Sequence, residues 1–348
     1  LARKSIIVNN LYYRQGANVP RGWVGFAKSL IVKALWYSLV VASGTLASGA
    51  DAAEQRFPIA AAIPEGKQIA TFTNALHPGN RIGYRFHEHT PLIHGEVPKD
   101  ASEAGIDSGN FAALEADYAK RPNTLKKTIV IGDADWVPQT WTYYMAPVDD
   151  GIEMLWIVET KNTGLNEYYG VQQCFRLGGV TNEAWRREFA ETPAFSEYDL
   201  WNVAEKDKPE KTSLTDVLRA GNWESLPATR DPVGARTPLG IRYDTLRAGG
   251  DSNTMLKVGP YEARMLDPID DGLITRTNLD KTWVCGIYWE RTSHVTDHHP
   301  ADCLHSIVNI GGIPPHGKRV IRGKIYWFEG TLKTLQTRVL GRIKNKDS

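Results

Sequence analysis

Short alternating or aromatic runs, separated at intervals of about ten residues by Gly, Pro, Asn or Asp, constrain this chain more than any other feature. QIATFTN, RIGYRFHEHT, KKTIVIGD, TWTYYMAP, GIEMLWIVETKN, YYGVQQCFRLGG, SNTMLKVGP, TWVCGIYWERT, CLHSIVNIGG and KRVIRGKIYWFEG all read as strands. Their β-branched and aromatic residues suit a pleated, half-buried surface. The prediction is an all-β fold, a large antiparallel β-sandwich with a few short helices. Those helices are expected at Phe111–Arg121, at Asn182–Glu191 with Thr181 as its cap, at Ser213–Arg219 and at Thr331–Leu340. There is no internal repeat and no low-complexity linker, so residues 53–348 are expected to form a single β-sandwich domain.

The first fifty residues follow a different pattern. Arg21, Lys28 and Lys33 precede the apolar run Ala34–Leu46 (ALWYSLVVASGTL), and the small-residue stretch ASGADAA follows. This is the order of a secretory signal, with cleavage expected at Ala50-Asp-Ala52. The run is too short to span a bilayer comfortably, so cleavage is expected, with no stable membrane anchor afterwards. The first methionine is Met145, which leaves either a non-standard initiation codon or a translated fragment, so residues 1–52 are expected to hold the signal, with room for an untranslated extension ahead of it. The expected location is therefore periplasmic or extracellular.

Removing residues 1–52 takes six basic residues (Arg3, Lys4, Arg14, Arg21, Lys28, Lys33) and one acidic residue (Asp51) from totals of 41 and 40, leaving a net charge of about −4. That balance argues against nucleic acid as a partner. The three cysteines, Cys174, Cys285 and Cys303, are too few for a disulfide scaffold. A bridge between Cys285 and Cys303 is expected only if their strands are neighbours, and one thiol is then left over.

The segment GIEMLWIVETKNTGLNEYYGVQQCFRLGG reads as two strands around a Lys161–Gly164 turn, with Gly164 expected to supply a positive φ. The second of these strands carries Cys174. Near the C-terminus, Gly312-Ile-Pro-Pro-His-Gly317 leads into Arg322-Gly-Lys-Ile-Tyr-Trp-Phe-Glu-Gly-Thr331. Together these features, over about residues 125–345, resemble the galactose-mutarotase-like supersandwich proteins. The resemblance implies a supersandwich-like fold and a role among exported carbohydrate-active proteins, and it carries no catalytic motif.

Chemistry-bearing residues are concentrated in two places. Of nine histidines, eight lie in His77–His94 or His294–His305. On a strand His87 and His89 share a face, and in CLHSIVN so do Cys303, His305 and Asn309, opposite Leu304, Ser306 and Val308. Asp297-His-His299 is expected to be a loop ending at Pro300. His87, His89 and His305, joined by His299 or by a carboxylate from Glu96 or Asp302, are the candidate ligands of one divalent transition metal, whose identity spacing does not decide. The order of His-x-His, Glu96 and Pro300-x-Asp-x-x-His305-x-x-x-Asn309 resembles the cupin motifs, although the two halves stand much farther apart here. Without a metal, His87, His299, His305 and Glu96 are candidate general acids and bases, and Arg85 can hold a carboxylate or hydroxyl with its forked donors.

Trp136, Trp141, Tyr144 and Trp289 are the candidate sugar-stacking residues, since sugars present apolar C–H faces to aromatic rings. No phosphate-binding glycine loop, G-x-S-x-G, HExxH or CxxC occurs. The expected partner is a carbohydrate or another small molecule. Three functions fit this pattern. The first is an exported carbohydrate-active lyase, hydrolase or epimerase-like enzyme with a histidine-rich cleft. The second is a non-catalytic carbohydrate-binding or envelope structural protein. The third is a metal-dependent oxygenase.

Overall fold

The computed structural model describes residues 57–65, 68–78, 80–86, 111–132, 137–177, 211–229, 231–247, 255–258, 261–266, 268–298 and 302–346. In chain order the strands begin with β1 (Ile59–Ala62), β2 (Ile69–Asn74), β3 (Arg81–Arg85), β4 (Leu125–Ile131), β5 (Gln139–Val148) and β6 (Gly151–Thr160). There follow β7 (Gly170–Arg176), β8 (Lys211–Arg219), β9 (Asn222–Ala228), β10 (Val233–Arg236), β11 (Met255–Val258) and β12 (Tyr261–Leu266). The last are β13 (Ile274–Thr277), β14 (Trp283–Trp289), β15 (Thr292–His298), β16 (Cys303–Asn309) and β17 (Lys318–Glu329). Helices among the described residues are α1 (Phe111–Lys120), α2 (Pro238–Arg247) and α3 (Leu332–Lys346). None is long and apolar enough to cross a membrane.

The strands form two sheets. Among the described residues the first has nine strands in the order β1-β2-β3-β7-β16-β15-β10-β12-β11, and the second has eight in the order β4-β5-β6-β17-β14-β13-β8-β9. Pairing is antiparallel throughout except between β10 and β12. Each sheet turns alternate side chains inward, as the two-residue period of a strand requires. Ile82, Tyr84, Val171, Phe175, Leu304 and Val308 of the first sheet share one core with Trp141, Tyr143, Trp156, Ile287, Trp289 and Trp327 of the second. Polar groups join the layers too: the Tyr143 hydroxyl donates to the Phe86 carbonyl and to Gln173 Oε1, each at 3.2 Å, and the Tyr84 hydroxyl bonds to the same Gln173 oxygen. The predicted all-β sandwich is thus the observed architecture.

Several local expectations change. Ser213–Arg219 is part of β8 and not a helix: it pairs with β9 and β13, and Ser213, Thr215, Asp216, Val217 and Leu218 are all buried. The residues after Gly164 do not fold back as a hairpin, because β6 pairs with β5 and β17 while β7 pairs with β3 and β16 in the other sheet. Gly164 is required by close approach and not by positive φ, since a Cβ there would lie 2.5 Å from the Ile313 carbonyl oxygen. The loop expected at Asp297 and His298 is the end of β15.

Helix α2 has a local cause. Thr237 stands at its N-cap, where its hydroxyl oxygen accepts from the Gly240 N–H at 3.2 Å, and Pro238 occupies the first turn. The helix packs on β15. Gly240 permits this, because a Cβ there would sit 2.1 Å from the Ser293 carbonyl oxygen. The helix expected at Asn182–Glu191 lies outside the described residues.

Candidate metal centre

The inward residues of β7 and β16 leave Cys174, Arg176, Cys303 and His305 on the opposite face of the first sheet, turned away from the shared core. Register arranges that face into rows. Arg85 on β3 pairs with Cys174 on β7, Cys174 with His305 on β16, and His305 with Thr296 on β15. In the neighbouring row Arg176 pairs with Cys303, and Cys303 with His298. Cys174 and Cys303 are therefore diagonal neighbours, with His305 beside both.

This face is buried. Cys174 is 0%, Cys303 1% and His305 1% exposed. One potential ligand atom from each, the two thiol sulfurs and an imidazole nitrogen, lie within 4.8 Å of one another. Tetrahedral zinc with thiolates at ~2.3 Å and imidazole at ~2.0 Å needs ligand separations of roughly 3.5–3.8 Å, so small side-chain rotations suffice. His305 Nδ1 lies 3.0 Å from Thr296 Oγ1. If that nitrogen carries the proton, it donates to the hydroxyl and leaves Nε2 to an ion, the arrangement that fixes most metal-binding imidazoles.

The electrostatics favour a thiolate here. Burial alone would push the Cys303 thiol up, but the Cys174 thiol donating to it, the Arg176 charge, and the hydrogen bond and charge of His305 outweigh burial and bring it down to about 6. Cys285 is the contrast within the same protein. It lies on β14 in the second sheet, where burial pushes its thiol well up and its S–H donates to the Arg276 carbonyl at 3.5 Å. The condition for a Cys285–Cys303 bridge is not met, because β14 and β16 belong to different sheets. None of the three cysteines is in a disulfide, and the neighbour of Cys303 is Cys174.

The other expected site residues fall in three separate layers. Arg85 and His305 are brought into one row of the first sheet. Trp141 and Trp289 are wholly buried between the sheets, where both rings stand edge-on to Trp156, at 5.1 and 5.7 Å between centroids. They are packing residues with no surface to offer a sugar. Tyr144 lies on the far face of the second sheet, in a cluster with Tyr118 of α1, and its hydroxyl donates to Glu115 Oε1 of that helix at 2.5 Å. The three rings therefore do not form one binding surface.

Asp302 is also displaced from the expected ligand set. Its carboxylate turns into the sandwich to meet Arg276 Nη1 at 3.1 Å. His87, His89, Glu96, Trp136 and His299 lie outside the described residues. Sequence reasoning found His305, Arg85 and the shared face of Cys303 and His305. It missed Cys174, Thr296, His298 and Arg176, which become neighbours only through the β7–β16 and β15–β16 registers. The chain matches no family model and no curated protein.

Proposed function

We propose that the protein is a metal-dependent enzyme whose ion is held by Cys174, Cys303 and His305 and acts as a Lewis acid on an oxygen-rich small molecule. The observation that carries this reading is the convergence of two thiols and one imidazole within 4.8 Å on a buried sheet face. Two thiolates with an imidazole suit zinc better than the imidazole and carboxylate sets that hold the iron of most oxygenases. Arg85 in the same row and Arg176 in the next add positive charge, which favours a substrate bearing a carboxylate or several hydroxyls. An acidic sugar has that chemistry, and it keeps the carbohydrate expectation without calling on Trp141 or Trp289.

The test is elemental analysis of the untagged full chain after reconstitution with Zn²⁺ or Co²⁺ under reducing conditions. The expected result is close to one ion per chain, with a near-ultraviolet thiolate-to-cobalt charge-transfer band. Cys174→Ser and Cys303→Ser should each weaken the band, and these two variants and His305→Ala should each weaken retention by at least ~10-fold while keeping the wild-type circular dichroism. Metal retained unchanged in all three variants, or absent from reconstituted wild type, would overturn the proposal.

A further inference from the structure

The same two thiols are placed to react with each other. Cys174 and Cys303 sit diagonally on adjacent antiparallel strands, on one face, with their sulfurs within 4.8 Å. A disulfide needs ~2.05 Å between sulfurs and Cα atoms within ~7 Å. Diagonal neighbours on adjacent strands stand ~7–8 Å apart, so closure takes side-chain rotation together with a movement of the strands. The third cysteine cannot compete, because Cys285 belongs to the other sheet. We propose that Cys174 and Cys303 are an oxidative modification site, closed to a disulfide by a peroxide-class oxidant, and that closure withdraws two of the three ligands from the metal.

The chemistry balances in two steps. The Cys303 thiolate attacks one peroxide oxygen, the O–O bond breaks, and the departing hydroxide takes a proton to become water. The Cys174 sulfur then attacks the sulfenic sulfur of Cys303, the S–O bond breaks, and the hydroxyl leaves as water with the Cys174 proton. Two sulfurs are oxidised by one electron each, and one peroxide is reduced to two waters. The bound ion, if present, leaves with His305 as its remaining ligand of the three. Oxidising compartments favour such pairs, and the N-terminal signal is expected to deliver the chain to one, so ion and disulfide would compete for the same sulfurs.

Only the release of metal rests on the proposed metal centre; the disulfide does not. The experiment treats the full chain, metal-free and zinc-loaded, with equimolar hydrogen peroxide, then denatures it, alkylates the free thiols and maps the peptides. The metal-free protein should lose two of its three alkylatable thiols and yield a Cys174–Cys303 linked peptide, with Cys285 alkylated. The zinc-loaded protein should close more slowly and release its zinc as it does. Cys174→Ser should give no linked peptide and leave Cys303 as a sulfenic acid that dimedone traps, whereas Cys285→Ala should link as the wild type does.

Three thiols still alkylatable, a link involving Cys285, or Cys303 oxidised without joining Cys174 would overturn the modification site. A linked peptide that forms equally fast with and without added zinc would leave that site standing and count against the metal centre. Zinc binding without any linkage would do the reverse.

Discussion

Arg276 on β13 places a full positive charge in the core. Its guanidinium is 0% exposed, with Nη2 donating to Asp297 Oδ1 at 2.7 Å, Nη1 to Asp302 Oδ1 at 3.1 Å and Nε to Thr215 Oγ1 at 3.0 Å. The two carboxylates flank the connection from β15 to β16, and the residues that follow them in sequence, His298 and Cys303, belong to the opposite face. One cation in the second sheet thus fixes both ends of the segment that presents Cys303. Asp302 also takes a left-handed φ of 47°, which Asp tolerates better than most residues. Replacing Arg276 by Met removes the charge that two buried carboxylates face and should cost about 3–5 kcal/mol in denaturant unfolding. The triple variant Arg276→Met/Asp297→Asn/Asp302→Asn should recover much of that loss. A cost below about 1 kcal/mol for the single variant would mean that the triad holds nothing in place. Asp302 also shows why a sequence motif misleads at this scale: its spacing to His305 fits a ligand set, while alternation along the strand and the left-handed turn send its carboxylate inward.

Elements are joined at the turn between β5 and β6. There the Asp150 carboxylate meets Lys324 Nζ of β17 at 2.5 Å and Arg338 Nη1 of α3 at 3.0 Å. Burial works to raise its pKa, but the Lys324 and Arg338 charges and hydrogen bonds outweigh burial and hold the carboxyl below its ordinary value. A depressed carboxyl stabilises the fold above its unfolded pKa, and that contribution disappears as pH falls through the folded one. Asp150→Asn should therefore lower stability at neutral pH by about 1–3 kcal/mol, with wild type and variant converging in acid. Parallel denaturation curves at neutral and acidic pH check this, and a difference that persists in acid would point to lost packing instead. How legible each element was follows from its length and pattern. Helix α1 and strands β5, β6, β14 and β17 carry long β-rich or helical patterns and were foreseen. Strands β10 and β13 have four residues each, too few to show a period. The β-branched Thr212, Thr215 and Val217 in β8 were the signal that the helix expectation passed over.

At the scale of the whole molecule, the class of fold was readable because patterning acts along the chain. The site was only half readable, because it depends on which strands become neighbours. His305 and Cys303 share a strand and could be placed together, whereas Cys174 joins them only because β7 follows a crossing between sheets and pairs with β16. The resulting layers separate two kinds of stability. Between the sheets Trp156 packs against Trp141, Tyr143 and Trp289, with ring centroids 5.1, 5.1 and 5.7 Å apart, while the proposed ligands lie on the other side of the first sheet. Truncating Trp156 to Ala should cost about 3–5 kcal/mol whether or not metal is present. Zinc at a hundred times its dissociation constant should add about 2.7 kcal/mol to the wild type, and the same increment to Trp156→Ala, because binding to the native state adds by mass action irrespective of where the core is weakened. Cys174→Ser should show the converse, near-wild-type stability without metal and, at the same zinc concentration, an increment cut to about 1.4 kcal/mol or less. Unfolding curves for the three proteins with and without zinc measure all six values. If the increment shrank in Trp156→Ala, the aromatic core would be positioning the ligands through β7 and β16, and the site would be a property of the whole sandwich and not of one sheet face.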